Sequence, residues 1–112
     1  MQNATERMSD VFHALADPTR RGMLAALAAG KKTAGELGEP FQISQPAASK
    51  HIRVLERAGL VVRKVDGRRH RFALVGGPLA EAEQWIARHR ALWEHSLNSL
   101  GRMLEGMEGS KK

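Results

Sequence analysis

Five segments with helical apolar spacing, one alternating stretch interrupted at Asp66-Gly67, and no apolar run of membrane-spanning length predict a mainly α domain with a small β-hairpin. The first helix is expected from Thr5 to Ala16, with Met8, Val11, Phe12 and Leu15 on one side. Asp17-Pro18 opens the second. Asp serves as N-cap and Pro takes the first helical position, where its missing N–H costs nothing. This helix runs through Met23, Leu24 and Leu27 to Ala29, and Gly30 ends it. Thr33 and Glu36 have the spacing of a capping box, which sets a short third helix at Ala34 to Gly38, and Glu39-Pro40 stops it. Phe41 and Ile43 are expected to plug the space between this helix and the next.

The fourth helix, Ser44 to Gly59, organises the chain. Ser44 caps it, Pro46 lies in its first turn and Gly59 closes it. Ala48, Ile52, Leu55 and Ala58 form one apolar stripe. The opposite face carries Gln45, Ser49, Lys50 and Arg53, with Ser44 at the tip and no carboxylate before Glu56. A merely solvated face usually mixes both signs of charge, because opposite charges three and four residues apart support a helix. Gln pairs with adenine edges, Ser with several bases, and Lys or Arg with guanine or phosphate, so these residue types suit a helix in a DNA major groove. A short third helix, a tight turn and a cationic, Ser-capped fourth helix make a helix-turn-helix. His51 borders the buried stripe, leaving it open between a packed residue and a DNA contact. Arg20 and Arg21 are open between phosphate contact and an internal pair with Asp17.

After Gly59 the pattern alternates. Leu60 to Val65 and Arg68 to Leu74 read as strands around an Asp66-Gly67 loop, which makes a wing and the fold a winged helix-turn-helix. A loop of those two residues sets Lys64 against Arg69 and Arg63 against His70, repulsions that phosphate would offset. The alternative is an edge hairpin protected from aggregation by its cations. Gly76-Gly77-Pro78 starts a last helix, about 78–106, with Leu79, Ala82, Ile86, His89, Trp93, Leu97, Leu100, Leu104 and Met107 stepping by threes and fours. So long a stripe suits packing against a second copy, making a homodimer through the terminal helices, rather than core packing within one subunit. Residues 109–112 read as a disordered tail.

The 112 residues fit one domain, and the formal charge of +6 is concentrated. Lys50, Arg53, Arg57, Arg63, Lys64, Arg68, Arg69 and Arg71 face only Glu56 and Asp66, while the ten basic and ten acidic residues elsewhere cancel. A neutral body with one cationic segment is an electrostatic footprint for a polyanion. Met1 to Asp10 lacks the apolar centre of a signal peptide, so a cytoplasmic protein that does not enter the membrane is expected. The absence of cysteine agrees with that compartment and removes thiolate metal sites, thiol redox sensing and cysteine nucleophiles.

The runs Phe12-His13-Ala14-Leu15-Ala16-Asp17-Pro18-Thr19-Arg20-Arg21, Ile43 to Ile52, Ala58-Gly59-Leu60-Val61 and Asp66 to Phe72 together resemble the ArsR-type family of winged-helix transcriptional regulators over nearly the whole chain. The resemblance implies a homodimeric repressor at an inverted-repeat operator, released by a ligand or another signal. It points toward members without a metal site. The cysteine-based sensor is excluded, and the Asp-x-His pattern that the family pairs with a terminal-helix histidine fails, because no Asp stands two residues before His89. His89, Glu94 and His95 could bind a metal only with groups borrowed from another subunit.

The expected DNA contacts are therefore Thr33, Ser44, Gln45, Ser49, Lys50, Arg53, Arg68, Arg69 and Arg71, with no catalytic residue, no metal and no cofactor. The rival reading is a winged-helix module for protein or RNA contact. An enzyme finds little support: there is no Gly-rich phosphate loop and no paired nucleophile and base.

Overall fold

A computed structural model describes the backbone of residues 2–111 and the side chains of residues 2–106. The expectation for the Met107 side chain falls outside the described residues; of the tail expected at 109–112, residues 109–111 instead continue the backbone of the last helix, and 112 lies outside the described residues. The chain divides into two compact units, 1–82 and 83–112.

In the first unit, α1 (Ala4–Leu15) is capped by Asn3, whose side chain accepts the Glu6 N–H. α2 (Pro18–Leu27) starts where Asp17 and Pro18 direct, with the Asp17 carboxylate accepting the Arg20 N–H at 3.0 Å. It ends two residues earlier than expected, and Gly30 then takes a φ of +144°. A two-residue strand, β1 (Lys32–Thr33), leads into α3 (Ala34–Gly38), whose capping box is complete. The Glu36 N–H donates to Thr33 Oγ1, and the Thr33 N–H donates to Glu36 Oε1. A 3-10 turn (Glu39–Phe41) and left-handed Gln42 (φ 54°) connect α3 to α4 (Gln45–Arg57).

The hairpin strands are β2 (Val61–Asp66) and β3 (Arg69–Leu74), and β1 pairs with β3 to give an antiparallel sheet of order β1-β3-β2. The hairpin is where expected, but its register differs from the sequence reading. The loop is Gly67-Arg68, so Asp66 faces Arg69, Val65 faces His70, Lys64 faces Arg71 and Arg63 faces Phe72. The reason is both local and cross-strand. Gly67 supplies the positive φ of +62° at the first loop position, whereas an Asp66-Gly67 turn of the primed type would require Asp66 to adopt one as well. The observed register also exchanges two repulsive pairs for an Asp–Arg pair and an Arg–Phe pair, leaving Lys64 and Arg71 as the like-charged neighbours.

The core gathers Val11, Ala14, Met23, Leu24, Leu27, Leu37, Ala48, Ile52, Leu55, Leu60, Val61, Phe72 and Ala82. Two glycines permit its closest approaches. A Cβ on Gly38 would stand 3.0 Å from that of Ala48, so α3 and α4 meet there. A Cβ on Gly22 would stand 2.4 Å from Phe41 Cζ. Phe41 therefore lies across α2 instead of plugging the gap between α3 and α4; Ile43 is the residue beside Gly38.

The last helix, α5 (Gly77–Lys111), begins in the first unit, where Leu79 packs on the core. In the second unit it carries an aromatic cluster. Trp85 stacks on His89 with centroids 4.1 Å apart, and Trp93 meets Trp85 edge-on at 6.0 Å. His89 Nδ1 lies 2.7 Å from the Trp85 carbonyl, so this nitrogen carries a proton and donates it within the helix. Leu92, Trp93, Leu97, Leu100, Met103 and Leu104 are all at least half exposed. Among the described residues, no helix is long and apolar enough to cross a membrane.

Candidate nucleic-acid interface

The face of α4 is built from its first turn. Ser44 Oγ accepts the Ala47 N–H at 3.2 Å and Pro46 sits where no N–H is needed, so the helix starts sharply at Gln45. Burial of Ala48, Ile52 and Leu55 then fixes the rotation about its axis. At 100° per residue, Pro46, Lys50, Arg53 and Arg57 lie outermost and are exposed. Gln45, Ser49 and Glu56 occupy the flank nearer the hairpin; Gln45 is exposed and Ser49 half-buried. Glu56 is the only carboxylate on this helix, and it is engaged by Arg63 of β2 at 3.4 Å.

His51 lies on the opposite flank, where its Nδ1 is 3.4 Å from Arg20 Nη1 and 3.9 Å from Asp17 Oδ2. That settles its position inside the fold, against the start of α2. Arg20 is equally committed. Its Nε donates to the Ala14 carbonyl at 2.7 Å and its Nη2 to that of His13 at 3.0 Å. Arg21 Nη1 donates to the Leu15 carbonyl at 2.8 Å. Neither arginine pairs with Asp17 as its main partner; both close the open carbonyls at the end of α1. Asp17's carboxyl is held below its ordinary range, first by the Arg20 backbone N–H and then by the nearby His51 and Arg20 charges.

Between α4 and the hairpin is a shallow concavity lined by Thr33, Gln45, Ser49, Arg63, Arg68, His70 and Phe72. It brings together four of the residues expected to touch DNA: Thr33, Gln45, Ser49 and Arg68. Ser44, Lys50 and Arg53 lie outside it, on the exposed tip and outer face of α4. Strand alternation puts Arg69 and Arg71 on the sheet face that carries Lys64 and Asp66, away from Arg63, Phe72 and His70. Arg71 also faces Thr33 across β1, and with Lys32 its charge helps hold the Glu36 carboxyl below the usual carboxylate range, after the larger effects of the Thr33 N–H and hydroxyl. Thr33's hydroxyl, as acceptor, is already occupied by the Glu36 N–H.

Arg63 and His70 are basic members of this surface that the sequence reading placed on a hairpin whose repulsions phosphate would offset, but did not count among the DNA contacts. The signal was Phe72: once it is taken as the buried residue of its strand, alternation aligns Arg63 and His70 with it.

A capped polar helix with no free carboxylate, set beside a hairpin tipped by cations, defines a winged-helix DNA-binding protein. A helix-turn-helix domain family matches residues 15–64. The chain is 35% identical to the transcriptional repressor SdpR of Bacillus subtilis over 79 residues, 70% of this chain and 88% of that repressor. It is 33% identical to the HTH-type transcriptional regulator Rv2034 of Mycobacterium tuberculosis over 103 residues, 91% and 94% of the two chains. A crystal structure of an ArsR family transcriptional regulator superposes with a TM-score of 0.74 at 38% identity, covering 84% of this chain and 97% of that one. The chain belongs to the ArsR family of helix-turn-helix transcriptional regulators. It is a DNA-binding regulator of transcription and not an enzyme.

Proposed function

We propose that this chain is a homodimeric repressor that occupies an inverted-repeat operator in double-stranded DNA and acts by occluding a promoter. Gln45, Ser49, Lys50 and Arg53 reach base edges and adjoining phosphates. Ser44 and Thr33 anchor the backbone, while Arg68, Arg69 and Arg71 bear on flanking phosphates or the minor groove. The observation that carries the reading is the exposed face of α4: polar and cationic from Gln45 to Arg57, with its single carboxylate engaged by Arg63.

The homodimer reading rests on α5, where Trp93 is 52% and Leu97 65% exposed in the single chain. An apolar row of that extent on a helix suits burial against its own copy. Two-fold symmetry then sets the half-sites about one DNA turn, or a multiple of it, apart.

The test is binding of purified protein to the DNA upstream of its own gene, competed separately with bulk duplex DNA and with RNA, across a salt series. Specific binding that weakens steeply with salt is expected, because each neutralised phosphate releases counterions. Equal competition by RNA favours the RNA-contact alternative instead. Site selection from random duplexes should return a relaxed motif for Gln45→Ala, and an unchanged motif would remove Gln45 from base reading.

A further inference from the structure

The sequence-level DNA contacts on the hairpin were Arg68, Arg69 and Arg71, but the best-positioned cation lies further down the wing. Arg63 sits on β2 in the same register step as buried Phe72, with its guanidinium carbon 5.3 Å from the Phe72 ring centroid. Its Nη2 is 3.4 Å from Glu56 Oε1. Two elements thus hold the group from two sides: a ring buried in the core lies beneath it, and the Glu56 carboxylate of α4 draws in one edge. The side chain nevertheless remains 46% exposed, and it lines the concavity shared with Gln45, Ser49 and Arg68. An arginine presents five N–H donors, and Glu56 takes one.

We propose that Arg63 is a phosphate-binding residue of the DNA interface, pre-positioned by Phe72 and Glu56 between the reading helix and the hairpin turn. This inference rests on the proposed function. The pairing has a second effect. Glu56 lies on the flank of α4 nearest the DNA-facing concavity, where a bare carboxylate would repel phosphate. Arg63 neutralises it and retains donors for the nucleic acid. A cation already held against an aromatic ring also loses less conformational freedom on binding than an exposed lysine does.

The experiment measures duplex affinity by fluorescence anisotropy over a salt series for wild type, Arg63→Ala, Arg63→Lys, Glu56→Gln and the Glu56→Gln/Arg63→Ala double variant, with thermal melting of each to verify folding. Removing Arg63 should weaken binding about fivefold at moderate salt and lower the slope of log affinity against log salt by about 0.9, the increment for one phosphate. The same slope change should persist in the Glu56→Gln background, and Arg63→Lys should recover the slope but only part of the affinity. If Arg63→Ala is silent once Glu56 is neutral, Arg63 merely shields that carboxylate and the proposal is overturned. An Arg63→Ala variant with wild-type slope overturns it as well. Failure of wild type itself to bind duplex DNA with salt dependence is a different outcome, and it removes the proposed function first.

Discussion

Gly22→Ala is predicted to be destabilising even though it replaces glycine with the best helix former in the middle of α2. On propensity alone the change should stabilise by about 0.8–1.0 kcal/mol. The added Cβ, however, would fall 2.4 Å from Phe41 Cζ and 2.7 Å from Cε1, about an ångström inside the roughly 3.5–4.0 Å of an ordinary carbon contact. The clashing atoms are the far end of the Phe41 ring, which packs against the core, so relief requires the ring to turn about its side-chain torsions out of that packing or the 3-10 turn carrying it to shift. Overpacking of this kind costs about 1–3 kcal/mol, which leaves a net loss of up to about 2 kcal/mol after the propensity gain. Urea unfolding followed by circular dichroism, at one fixed protein concentration, measures it. The decisive comparison is the same substitution in a Phe41→Ala background. With the ring gone, Gly22→Ala should change sign and stabilise by about 1 kcal/mol. Equal effects in both backgrounds would refute the claim that Phe41 is what excludes a side chain at position 22.

Three further outcomes are expected. Ser44→Ala should lower stability by about 1 kcal/mol in the same urea assay, because the Ala47 N–H loses its acceptor at the start of α4. Leu97→Glu should convert the proposed dimer to monomer in sedimentation velocity: burying a leucine is worth about 1.5–3 kcal/mol, and two-fold symmetry counts it twice, a change of about 10²–10⁴ in the dimerisation constant. Asp17's carboxyl is depressed below its ordinary value of 3.8, so its contribution to stability is complete above that value and drains away as pH falls through the lower folded-state value. The acid limb of a pH–stability profile should therefore flatten in Asp17→Asn, with the difference from wild type vanishing below the folded-state pKa.

The features readable in the sequence were those whose chemistry closes within three or four residues. Asp17 with Arg20, Thr33 with Glu36, and Ser44 with Ala47 are caps between near neighbours, and all three form at the expected positions. The apolar stripe of α4 was legible for the same reason, since Ala48, Ile52 and Leu55 repeat at helical spacing. The hairpin register was not, because Asp66-Gly67-Arg68 admits two phases of turn and the choice falls to partners across the strand: Arg69 for Asp66 and Phe72 for Arg63. β1 is two residues long and exists through pairing with β3, so it has no alternation of its own to display. Arg20 escaped for a further reason. Its acceptors are backbone carbonyls, which every residue carries, and nothing in a sequence distinguishes the ones at His13 and Ala14.

That arginine has a consequence for how motion travels through the first unit. One flat guanidinium spans the final carbonyls of α1 and the imidazole on α4, while its own backbone is tied to Asp17. A lysine there would keep the charge but lack the rigid fork that reaches several acceptors together. Tilting the N-terminal rod must therefore either drag α4 along with it or break this hub, which makes position 20 a mechanical linkage between the two.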